Sequence, residues 1–209
     1  MRRYYKRSTL RLATVPVLEL RLLASPTRAP RADARRNRER LLEVAAQAFA
    51  RGGAEVALEG IAREAGVGIG TLYRHFPTRE ALVEAVYRNE VARLCDVTDD
   101  LLRSAPPDAA LREWMGRFIA YLATKRGMID ALRALVASGG NPFEHTRARM
   151  LDALGALLQA GAEAGTLRPD VQPMDVLASL SGVSLATTDP AQRDRLLDLL
   201  IDGLRYRGS

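Results

Sequence analysis

Thr71, Tyr73, Arg74 and His75 fall within five residues and bring two hydroxyls, a guanidinium and an imidazole to one short stretch. Such groups donate hydrogen bonds to phosphate oxygens, and an arginine can also reach the acceptors on a guanine edge. Gly68 and Gly70, just before them, carry no side chain, so the backbone there can approach a partner closely. Residue types for other chemistries are scarce. The chain has two histidines and a single cysteine, Cys95. One cysteine excludes both an internal disulfide and a cysteine-clustered zinc site, and it favours a reducing cytoplasm. There is no phosphate-loop spacing and no acidic cluster for a metal. No catalytic residue, metal or cofactor is therefore expected, and an enzyme is disfavoured.

The elements that must position these groups read as helices. From Ala34 onward apolar residues recur at helical spacing, beginning with Leu41, Leu42, Ala45, Ala48 and Phe49. Asn37 is the expected N-cap of that first helix, and Gly52-Gly53 its end. Helices are then expected at about 58–65, 68–76, 78–97, 108–126, 128–138, 143–164, 174–187 and 191–206. Thr78 and Asp108 are the expected caps of the fourth and fifth. Nothing alternates as a strand would. The expected fold is all-α, with about nine helices. A composition of 47% hydrophobic and 27% charged residues can bury a core and remain soluble.

The charge is uneven. Residues 1–40 hold 12 Lys+Arg against 3 Asp+Glu, while the rest of the chain is slightly acidic. A basic arm suits a polyanion, either DNA or an anionic membrane surface. Pro16, Pro26 and Pro30 with scattered arginines give no persistent period, so residues 1–33 are expected to be a disordered basic extension. Arg2, Arg3, Lys6 and Arg7 have the look of a basic leader. The stretch from Leu10 to Leu23, however, is broken by Arg11, Pro16, Glu19 and Arg21, so no export segment or membrane span is expected.

The run Leu58–Phe76, LEGIAREAGVGIGTLYRHF, reads as two short helices around a glycine turn. Ile61, Ala62 and Ala65 line the first, Gly66 turns the chain, and Ile69, Leu72 and Phe76 form the expected buried stripe of the second. That is a helix-turn-helix, whose second helix enters the major groove. Gly68, Gly70, Thr71, Tyr73, Arg74 and His75 are its expected outward residues. The helix is short of obvious base readers, so groove shape is expected to contribute to specificity.

The longer run GIAREAGVGIGTLYRHFPTREALVEAVY resembles the TetR family signature nearly position for position. The close likeness covers about residues 34–95, with the helix-turn-helix at 58–77. The resemblance implies a three-helix DNA-binding head followed by a helical ligand-binding and dimerisation domain at 96–209. It implies that Thr71, Tyr73 and His75 face DNA. It places Arg79 where the family usually has a phosphate-binding lysine, and it sets Arg35, Arg36 and Arg38 beside the adjacent backbone. One departure is Ala57, where the family usually has a capping Ser or Thr. Past residue 97 the likeness is architectural; the second half, including KRGMIDALRALV at 125–136, is similar to an actinobacterial-type subgroup.

The implied function is sequence-specific regulation of transcription by a homodimer on a palindromic operator in the cytoplasm. The implied mode is repression relieved by a small apolar or aromatic effector; an activator or a ligand-independent regulator would carry the same head. Candidate effector contacts are Trp114, Met115, Phe118, Tyr121, Met128, Phe143, His145 and Met150, since aromatics and adaptable methionines suit an apolar ligand. His145, Tyr121 and Trp114 would offer polar handles. Candidate dimer contacts are Val176, Leu177, Leu180 and Val183 on one helix and Leu196, Leu197, Leu200 and Leu204 on the last. Such stripes also serve as ordinary monomer core.

Overall fold

A computed structural model describes residues 30–143 and 145–205. The expected basic extension lies almost wholly outside the described residues, of which it contributes only the first turn of α1. The architecture below is that of residues 36–209; α1 alone begins before them, at Pro30.

The described residues form ten α-helices: α1 Pro30–Gly52, α2 Leu58–Glu64, α3 Ile69–His75, α4 Arg79–Asp96, α5 Thr98–Ser104, α6 Pro107–Gly127, α7 Ile129–Ala137, α8 Thr146–Glu163, α9 Pro173–Ala186 and α10 Pro190–Leu204. A single 3-10 turn, Gly53–Glu55, follows α1. The all-α expectation holds. The helix not expected is α5, which Val97 joins to α4 without leaving helical backbone angles (φ −74°, ψ −13°).

Helix starts depart from expectation where proline takes the first turn. Asn37 lies inside α1, which has already begun at Pro30. Asp108 sits in the first turn of α6, behind Pro107, and does not cap it. Proline's fixed φ and missing N–H suit the first helical position, where the N–H would have no partner. α9 and α10 also open on proline. Two caps are side-chain made: Thr78 Oγ1 accepts from Ala81 N at 3.1 Å, and the Asp189 carboxylate accepts from Ala191 N and Gln192 N.

α6 is the central helix, packing on α4, α5, α8, α9 and α10. It buries Leu111, Trp114, Met115, Phe118, Ile119 and Tyr121. At full burial each large side chain contributes about 1.5–3 kcal/mol, so this one face supplies much of the stability of the second half. The turn after α8 is anchored by Leu167, which packs directly on Gly161 and has no room for a Cβ there. No helix among the described residues is long and apolar enough to cross a membrane.

Candidate nucleic-acid interface and the cleft behind it

α2 and α3 meet at Gly66, whose φ of +70° is the left-handed conformation that glycine adopts without strain. Val67 N donates back to Ala62 O at 3.0 Å and closes the turn. Ile61, Ala62, Ala65, Leu72 and Phe76 are all buried, so the helix-turn-helix packs as its apolar pattern requires. Ala57 offers no side-chain cap to α2. α2 is fastened from α1 instead: Arg51 pairs with Glu64 at 3.2 Å, an exposed contact of small energetic worth.

Ile69 departs from the expected stripe. It is 36% exposed, on the same side of α3 as Tyr73, four residues on and 44% exposed. As the first residue of a seven-residue helix, Ile69 precedes the turn that docks on the core. The open face of α3 thus comprises Gly68, Ile69, Gly70, Tyr73 and Arg74, with Thr71 and His75 half-exposed beside it. At Gly68 and Gly70 an added Cβ would meet nothing within 4 Å, so their smallness leaves space outward, not inward. Ile69 was missed because periodicity alone assigns it to the core.

The flanking arginines divide. Arg35 is exposed and Arg36 half-exposed on α1. Arg38 is exposed and lies over the Phe76 ring, 5.3 Å from its centroid. Arg79 differs: its Nη1 donates to Val56 O at 2.7 Å, and its guanidinium lies 5.6 Å from the Phe49 ring centroid. It ties α4 to the loop after α1, a positioning role beside the phosphate contact that the resemblance implies. Arg79→Ala is expected to lower stability by about 1–3 kcal/mol, the usual worth of a charge-assisted hydrogen bond. A melting temperature equal to wild type would show that the Val56 contact contributes nothing.

Behind the head, α6 ends directly against α1. A Cβ on Gly127 would lie 1.9 Å from Phe49 O and 2.6 Å from Phe49 C, so only glycine permits this backbone approach. Two residues earlier on α6, Lys125 lines a cleft of about 420 Å³ between α4, α6, α8 and α9. Of the eight expected effector residues, Phe118, Tyr121, Phe143 and Met150 line it. Trp114, Met115 and Met128 do not: they are fully buried core, and Trp114 Nε1 donates to Leu94 O at 2.9 Å. His145 is exposed, at φ 59° just before α8, and is not among the lining residues. Tyr87 and Lys125 are lining residues the sequence did not single out.

The cleft's aromatic wall is ordered by ring packing. Tyr87 and Phe143 meet edge to face at 5.3 Å, and Phe118 and Tyr121 lie 5.8 Å apart. Phe118 also stacks on Trp114 at 5.6 Å, which puts the single tryptophan one ring away from the cavity. Burial, helped by Tyr87, pushes the Tyr121 phenol far up, so it stays protonated. Burial pulls the Lys125 ammonium down. A second cleft, of about 520 Å³ between α1, α4 and α6, is lined by Glu43, Glu90, Arg93 and Arg117.

The proposed dimer stripe also needs correction. Val176, Leu180, Leu197 and Leu204 are buried inside the protomer, and Leu177, Val183, Leu196 and Leu200 are partly so. The large apolar residues that α9 and α10 leave exposed are Leu185, 80% exposed, Leu199, 69% exposed, and Met174. Around them Gly182 and Gly203 have nothing within 4 Å of an added Cβ.

Known proteins with this architecture are regulators. The family model for bacterial regulatory proteins of the tetR family matches residues 41–86. A model for the C-terminal domain of SbtR-like transcriptional regulators matches residues 106–206. The crystal structure of the TetR transcriptional regulator SCO0520 from Streptomyces coelicolor is 53% identical, with a TM-score of 0.78 over 82% of this chain and 99% of that one. A TetR regulatory protein from Mycobacterium vanbaalenii is 40% identical, with a TM-score of 0.69 over 84% of this chain and 99% of that one. An HTH-type transcriptional regulator of Staphylococcus aureus strain USA300 is 40% identical over 62 residues, 29% of this chain. The match spans about a third, 34%, of that curated relative's length. With the glycine-turned head, the all-α body and these matches together, the chain belongs to the TetR family and is a helix-turn-helix, DNA-binding transcriptional regulator.

Proposed function

We propose that the protein is a repressor that binds a palindromic operator as a homodimer through α3 and leaves it when a small molecule occupies the cleft of α4, α6, α8 and α9. In this reading residues 34–95 are the DNA-binding head and residues 96–209 the regulatory and dimerisation domain. The operator is in the cytoplasm. Thr71, Tyr73, Arg74 and His75 contact the duplex beside the small Gly68 and Gly70, and Arg35, Arg36 and Arg38 flank the phosphates. Ile69 joins this set. Its exposed methyls are chemically suited to a thymine methyl, the apolar feature of the major groove.

The observation that carries the release mechanism is the double duty of α6. One helix holds the cleft residues Phe118, Tyr121 and Lys125 and also the glycine seated on the α1 backbone at Phe49. α4 contributes Tyr87 to the same cleft and begins beside the head at Thr78 and Arg79. A molecule that fits the cleft in only one arrangement of these helices shifts the head's position. One that fits both arrangements equally releases nothing.

The test is binding of the purified protein to its own promoter region. Affinity is expected to fall steeply with salt, because phosphate contacts release counterions. Tyr73→Ala is expected to weaken binding about tenfold or more while the helical circular-dichroism signal stays intact, since that ring is not part of the core. A Tyr73→Ala protein that binds like wild type would remove α3 as the reading helix. Transcription of the adjacent genes that rises on deletion supports repression; a fall identifies an activator.

A further inference from the structure

The chemical class of the effector follows from counting hydrogen-bond donors in the cleft, and this inference rests on the cleft being the effector site. Four hydroxyls line it: Tyr87, Tyr121, Thr146 and Ser181. Each carries one hydrogen. Thr146 Oγ1 donates to Phe143 O at 2.8 Å, so the 3.3 Å contact between Tyr87 and Thr146 must be donated by Tyr87. Tyr121 donates in turn to Tyr87 at 3.2 Å. Ser181 donates to Leu177 O at 2.8 Å. All four hydroxyl hydrogens are committed inside the protein.

What remains is positive. Lys125, one of two lysines in the chain, lies 5.2 Å from the Phe143 ring centroid and 6.0 Å from that of Tyr87. It has no carboxylate partner among the described residues. Arg147 lies at the rim, where among the described residues its Nη2 meets the weak acceptor Met174 Sδ at 3.0 Å. The lining among the described residues includes no Asp or Glu. The half-buried ammonium is held against two ring faces, which compensate it weakly. Burial without an anion is what depresses its pKa.

We propose that the cleft takes a monoanionic amphiphile, a carboxylate on an aromatic or medium-length aliphatic body, with Lys125 as the counter-ion and Phe118, Tyr121, Phe143 and Met150 against the body. A neutral ligand would leave the ammonium uncompensated, and a cation would be repelled by it. Lys125, the half-buried cation, matches one negative charge, while Arg147 stands exposed at the rim. A volume of about 420 Å³ falls in the range of ordinary small-molecule sites.

The test uses the full chain and matched probes: 4-phenylbutyrate against 4-phenylbutan-1-ol, and decanoate against 1-decanol, titrated by calorimetry and by Trp114 fluorescence. The carboxylates are expected to bind at least about tenfold more tightly than the alcohols, the usual gain from a charge-assisted hydrogen bond. Lys125→Met is expected to fold and to lose the preference for carboxylate over alcohol; Lys125→Arg is expected to keep it. Alcohols that bind as tightly as the carboxylates, or a preference that survives in Lys125→Met, would overturn the anionic class. Binding of none of the four probes would overturn the class and the cleft together. Promoter DNA is then added. Carboxylates that bind with loss of preference in Lys125→Met, yet release no DNA, support the ligand class and overturn the release reading alone.

Discussion

Replacing Leu185 and Leu199 together by glutamate is expected to give a folded monomer whose operator affinity is at least about a hundredfold lower. The two leucines stand 80% and 69% exposed on the two last helices, so charging them removes nothing from the protomer's core. In a family-type dimer they would be covered, and an uncompensated charge in an apolar interface costs several kcal/mol. A palindromic operator needs two heads on one protein axis, so losing the dimer leaves one half-site contact per molecule. Sedimentation should show the monomer, and circular dichroism should match wild type. A control separates interface from core: Leu180→Arg, at a position with no exposure, is expected to unfold the chain outright. A double variant that stays dimeric would move the interface away from Leu185 and Leu199.

That contrast marks where sequence reading stops. Apolar residues at helical spacing on α9 and α10 say that a face is buried, not by what. In the structure Val176, Leu180, Leu197 and Leu204 belong to the protomer, and α10 is also tied to α6 by Arg112 to Asp198 at 2.7 Å. The head was far more legible. Gly66, the buried alternation of Ile61, Ala62, Leu72 and Phe76, and the Thr78 cap are all local, and all stand where the sequence puts them. Ile69, which the pattern put in the core, is at a helix end, where a period assigns a side chain to a face before the helix has reached the core.

The cleft was half legible for a related reason. Phe118 and Tyr121 share a helix face and could be grouped from the sequence. Tyr87 comes from α4 and Phe143 from the loop before α8, so only the fold brings them to Lys125. The lysine itself sits in the last turn of α6, and the sequence did not group it with those rings. Trp114 shows the opposite error: a polar atom in an aromatic cluster looked like a handle for a ligand, but its N–H is already given to Leu94. Arg79 has a further contact that its position did not reveal: the Val56 carbonyl that engages it belongs to a loop 23 residues away.

Gly127→Ala is expected to sever the head from the cleft. The added methyl would fall 1.9 Å from the Phe49 carbonyl oxygen, and that atom is backbone in the last turns of α1, not a side-chain tip that can rotate away. Either α6 or α1 must shift. Overpacking of this kind costs about 1–3 kcal/mol, so the melting temperature should drop by several degrees without loss of the fold. Phe49 also lies under Arg79, which holds the start of α4, so a shift at α1 reaches α3 through both of its neighbours. Operator affinity is therefore expected to fall at least about tenfold even without a cleft ligand, while the dimer persists and Trp114 still responds to the carboxylate probes. Restoring space on the other side is impossible because the partner is a carbonyl, which makes Gly127→Ser and Gly127→Val useful graded companions: the larger the side chain, the greater the loss expected. An alanine variant with wild-type melting and wild-type operator binding would show that this contact carries no coupling. It would leave the tilt of α4, reached from the cleft through Tyr87, as the route by which the effector acts.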